Sequence, residues 1–72
     1  MSIEKWNTPH SSNVTEVEYD PDTQIMTVTF KNGGRYAIGG VEAMIASDFA
    51  NDPSPGSYYN RHIRNHYTVR RL

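Results

Sequence analysis

The chain is 72 residues long, 36% hydrophobic and 21% charged, with a net charge of −1 and no cysteine. Its length bounds it to one small domain with a thin core; its composition excludes a disulfide framework and a thiolate metal site. The near-neutral balance is unlike that of a protein whose affinity comes mostly from neutralising phosphates.

The charge is unevenly spread. Residues 1–52 hold three Lys or Arg against all eight acidic residues, whereas residues 53–72 carry Arg61, Arg64, Arg70 and Arg71 and no acid. No stretch has the length of a signal peptide or of a membrane span. The expectation is a soluble monomer in the bacterial cytoplasm.

Residues 1–12 are polar, without periodicity, and read as a flexible arm carrying one large apolar side chain, Trp6. Trp6 either folds back over the domain edge or serves as an anchor ordered by a partner. The domain proper is expected over 13–72. "NVTEVEYD" alternates and predicts a strand with Thr15, Val17 and Tyr19 on its buried face.

Asp20-Pro21-Asp22-Thr23 supplies a turn, and "QIMTVTFK" predicts a second strand with Met26, Val28 and Phe30 inward. Asn32-Gly33-Gly34 is a tight hairpin signal, after which "RYAI" returns with Tyr36 and Ile38 inward. Three strands in an antiparallel meander leave an apolar face that needs a cover.

Beyond Gly39-Gly40, the positions Val41, Met44, Ile45 and Phe49 form a helical stripe. "NDPSPGS" ends that helix, and Ser57 is placed to cap a second, short one through "YYNRHIRNHY", with Tyr59, His62, Ile63 and His66 on one face. "TVRRL" is either an edge strand or a tail. The fold class expected is α+β: a three-stranded meander packed by one longer helix and a short C-terminal one.

The string Gly56-Ser57-Tyr58-Tyr59-Asn60, followed by Ile63 and Tyr67, resembles the most distinctive part of the KTSC family, named for a C-terminal extension of some lysyl-tRNA synthetases. Ser11-Ser12-Asn13-Val14, Val17, Tyr19, the run Phe30 to Gly34, Tyr36 and Val41 agree in the same order. The resemblance covers about Ser11 to Leu72. It implies a small bacterial or phage domain that occurs as an extension or alone, with RNA binding as one function. The family's Tyr-x-Tyr is here Tyr36-Ala37-Ile38, so a stacking role for the second tyrosine would be missing.

Catalytic chemistry finds little footing. His62 and His66 are four apart, a spacing that presents two imidazoles to one metal, but no Cys completes a zinc site and Arg64 lies between them. Partly buried helix histidines are the plainer expectation. No serine sits in a nucleophile-elbow pattern, and the glycine pairs lack phosphate-loop spacing. No enzyme activity, cofactor or metal is expected.

The surface candidates for partner binding are Trp6, Arg35, Tyr58, Asn60, Arg61, Arg64, Arg70 and Arg71. Arg clamps phosphates or carboxylates, and Tyr stacks on bases or anchors an interface. A few phosphate contacts beside an acidic half favour a protein target steered by charge. The function expected is a phage-type regulator docking on RNA polymerase or an associated factor; the alternative is an RNA- or tRNA-binding module.

Overall fold

The computed structural model describes residues 3–8 and 13–72. The α+β class is as expected, but the sheet has five strands rather than three. They run β1 (Glu4–Asn7), β2 (Val14–Asp20), β3 (Ile25–Phe30), β4 (Arg35–Gly39) and β5 (Thr68–Arg71), in that spatial order, all antiparallel. Both additions are short segments whose apolar content is one side chain, Trp6 or Val69, so alternation does not reveal them. The rest of the expected arm, residues 1–2 and 9–12, lies outside the described residues.

The inward face of β2 differs from the simple alternation. Thr15 is exposed and Val14 is buried, because a bulge between Val14 and Glu16 shifts the register against β3. A bulge adds one unpaired residue, so the side chains on either side of it swap faces. Thr15 is held by its hydroxyl, which donates to the Thr29 carbonyl at 3.1 Å. Val14, Val17 and Tyr19 then join Met26, Val28 and Ile38 on one apolar face.

Helix α1 (Ala43–Asn51) covers that face with Ala46, Phe49 and Ala50. The expected stripe is rotated: Val41 is buried ahead of the helix, but Met44 is 74% exposed. The chain then turns through α2 (Pro55–Tyr58) into a π-helical turn, Tyr59–Ile63. The second helical segment begins at Pro55 rather than after Ser57, since proline at the first position has its φ preset and needs no N–H partner. Ile63 is fully buried, whereas His62 and His66 are exposed rather than partly buried.

The opposite face of the sheet carries no helix. Lys5, Glu18, Thr27, Ala37 and Arg70 share one row across it, and Asn7, Glu16, Thr29 and Arg35 the next. Lys5 and Glu16 form an ion pair there at 3.1 Å. Among the described residues no helix is long and apolar enough to cross a membrane.

Candidate functional site

Three adjoining clefts meet where the β3–β4 hairpin faces the π-helical turn. Asn32 lines all three. The hairpin is tight because Phe30 N–H donates to the Gly34 carbonyl at 2.8 Å and Gly33 N–H to the Phe30 carbonyl at 3.0 Å, with Gly33 at φ 93°. Glycine adopts that positive φ without steric cost. The Asn32 side-chain oxygen accepts from Gly34 N–H at 2.9 Å, which fixes the amide at the centre of the clefts.

The middle cleft, of about 360 Å³, is lined by Phe30, Asn32, Tyr36, Tyr59, Asn60 and Arg64. Phe30 lies 5.5 Å from Tyr36 and 5.3 Å from Tyr59 between ring centres, nearly perpendicular to both. The Tyr59 hydroxyl is pushed above its ordinary pKa by burial and by Tyr36, while Arg64 pulls the other way. At pH 7 it is therefore a neutral donor and acceptor.

On one flank a cleft of about 290 Å³ adds Asn13, Lys31 and Gly56. Here Lys31 N–H donates to the Asn13 carbonyl at 2.7 Å, tying the start of β2 to the hairpin. On the other flank, about 490 Å³, Gly33, Gly34, Arg35, Arg71 and Leu72 continue the surface. Arg71 reaches it because β5 sets Arg71 opposite Tyr36, and Leu72 N–H donates to the Arg35 carbonyl at 2.9 Å.

The electrostatics are one-sided. Lys31, Arg64 and Arg71 line the clefts, Arg35 borders the outer one from the bare-face row, and among the described residues no Asp or Glu lines them. Arg35 also pairs with Glu18 at 3.9 Å, a long contact between an exposed guanidinium and a partly exposed carboxylate that contributes little energy of its own. No His, Cys, Asp and Glu group that could hold a metal occurs among the described residues.

Of the residues singled out from the sequence, Arg35, Asn60, Arg64 and Arg71 come together here. The other four lie elsewhere. Trp6 sits in β1, half-buried and packed on the core edge opposite Val17. Arg70 points to the bare sheet face, in a row with Ala37. Arg61 Nε approaches the Ser57 carbonyl at 3.4 Å, one turn back on its own helical segment.

Tyr58 faces a separate cleft of about 280 Å³ with Ile45, His62, His66 and Tyr67, and its ring lies 4.7 Å from His62. Sequence reasoning missed Asn13, Phe30, Lys31, Asn32, Tyr36 and Tyr59 as site residues. The sequence reading places Asn13 and Lys31 at strand ends, Asn32 in a turn and the three aromatics on inward faces; Phe30, Tyr36 and Tyr59 are half-buried and also line the clefts.

The profile of the KTSC domain matches residues 10–67. The chain belongs to the KTSC domain family. Lysine–tRNA ligases of Nostoc punctiforme and of a second Nostoc strain are each 28% identical to it over 64 residues, which is 89% of this chain and 11% of theirs. The KTSC domain thus spans about a tenth of the length of these curated relatives. A crystal structure of a KTSC domain protein from Yersinia pestis shares the fold at a TM-score of 0.87, with 22% identity over 99% of both chains. Within this KTSC domain, position 38 is core: Ile38 is fully buried, so no stacking surface is lost there.

Proposed function

We propose that this domain is a non-enzymatic module that binds single-stranded RNA across the three clefts. The observation that carries the reading is an aromatic floor, Phe30, Tyr36 and Tyr59, ringed by Lys31, Arg64 and Arg71, with Arg35 at the outer edge and no Asp or Glu side chain among the described lining residues. Single strands are held by this pairing of aromatic stacking surface and phosphate-binding cations. The lysine–tRNA ligases that carry a related segment bear the name of an RNA, which supports RNA as the polyanion. A small module of this kind, joined to a larger RNA-binding protein, adds affinity through effective concentration.

Docking on RNA polymerase or an associated factor takes second place. Its support came from the segregated charge and from Trp6 as a partner-ordered anchor; the charge argument remains, but Trp6 packs against the core edge. The test is a fluorescence titration of a labelled single-stranded RNA from 50 to 300 mM salt. Three to four phosphate contacts give a log–log slope of about −2 to −3, and Arg64→Glu abolishes saturation. A flat salt response, or capture of a defined protein from bacterial lysate that survives nuclease, favours the docking reading instead.

A further inference from the structure

We infer that the middle cleft takes a single unstacked purine, its N7 edge turned toward Arg64, Asn32 and Asn60. This rests on the RNA reading of the same surface and adds which base the centre holds. A cleft of about 360 Å³ lies at the small end of ligand pockets, which run from about 300 to 1,000 Å³. It is room for one nucleotide.

The ring geometry leaves stacking surface. Tyr36 and Tyr59 meet Phe30 at interplanar angles of 84° and 80°, so neither is stacked on it. Both tyrosines are half-buried, and each presents ring surface to the cleft. A purine offers the larger π face to such a floor.

The polar rim is rich in donors. The Asn32 oxygen is occupied by Gly34 N–H, which leaves its amide NH₂ to give hydrogen bonds outward. Arg64 has donors only, and the exposed Asn60 amide supplies further N–H groups beside it. Adenine and guanine both carry the N7 acceptor on this edge, whereas pyrimidines lack it. Lys31 on one flank and Arg71 on the other stand where the phosphates before and after that base would pass.

The experiment is an amide chemical-shift titration of the full chain with AMP, GMP, CMP and UMP, repeated with the 7-deaza analogue of the better purine. Expected are saturable shifts at Asn32, Tyr36, Tyr59 and Asn60, at least fivefold tighter for purines, and about a tenfold loss on replacing N7 by carbon. Asn60→Ala and Arg64→Gln, both exposed, weaken the purine and leave the thermal transition in place. Arg61→Gln, outside the clefts, changes nothing.

Equal binding of all four nucleotides, an undiminished 7-deaza analogue, or shifts mapping elsewhere overturns the purine slot. A single-stranded oligonucleotide then separates the two readings. If it still binds with the expected salt slope, only the slot has failed; if it does not, the RNA reading falls with it.

Discussion

Tyr19 shows how much one side chain does in a core this thin. It is 1% exposed, and its hydroxyl donates to the Val41 carbonyl at 2.6 Å, fastening β2 to the segment that leads into α1. Tyr19→Phe leaves that carbonyl unpaired and should cost about 1–2 kcal/mol in a denaturant titration. Burial raises its pKa first, and the charges of Glu42, Asp20 and Glu4 raise it further. The folded state thus holds the proton more tightly than the unfolded chain does. Stability from this source is complete below about pH 10 and lost as pH climbs beyond it. Stability measured from pH 8 to 11 should fall, and Tyr19→Phe should flatten the decline. That Tyr19 points inward was legible from alternation; that its hydroxyl ties down Val41 was not, because the partner is 22 residues away.

Gly56 sets a second constraint at the same scale. A Cβ placed there would lie 2.8 Å from Asn13 Nδ2 and 3.3 Å from Asn13 Cβ. Gly56→Ala must displace Asn13 from the flank of the clefts, at about 1–3 kcal/mol by thermal unfolding. In this chain the glycine that opens the string Gly56 to Asn60 is thus a packing requirement.

At the level of elements, the helical segments divide cleanly into faces. Ile63 is fully buried and packs within the core cluster, so Ile63→Ala should cost about 2–5 kcal/mol. Met44 stands largely in solvent, so Met44→Ala should stay within about 0.5 kcal/mol. Thermal melts of the pair check the helix register directly. Helical periodicity found both segments but misjudged Met44. The run from Val41 was extrapolated into a helix that starts only at Ala43, so the first apolar position was outside it.

The π-helical turn was equally out of reach of periodicity. Arg64 N–H bonds to the Tyr59 carbonyl, five residues back, at 2.9 Å. One extra residue per turn keeps Ile63 in the core while Tyr59, Asn60 and Arg64 line the clefts. π turns are frequent at functional sites. No residue type announces one.

On the scale of the whole molecule, the two faces of the sheet have different duties, and β5 offers a direct comparison. Arg70 and Arg71 are neighbours of equal charge, yet one belongs to the bare face and the other to the cleft rim. Arg71→Gln should weaken single-stranded RNA binding several-fold at fixed salt, while Arg70→Gln changes it less than twofold, as read by the same titration. Equal losses would mean that net charge alone holds the strand. The cation-rich end was visible in the sequence, but its true companions, Lys31 and Arg35, come from the middle of the chain. Only the pairing of β4 with β5 brings them together.

The strand order 1-2-3-4-5 follows the order of the chain without a crossover. As synthesis proceeds, each new strand therefore finds its partner already present at the growing edge of the sheet. Such local wiring keeps the search for native pairing short. The longest connection between neighbouring strands runs from Gly39 to Thr68 and holds the helical segments. β5 pairs with β4 at the edge of the sheet and carries Arg71, so the rim of the outer cleft exists only where that edge is paired.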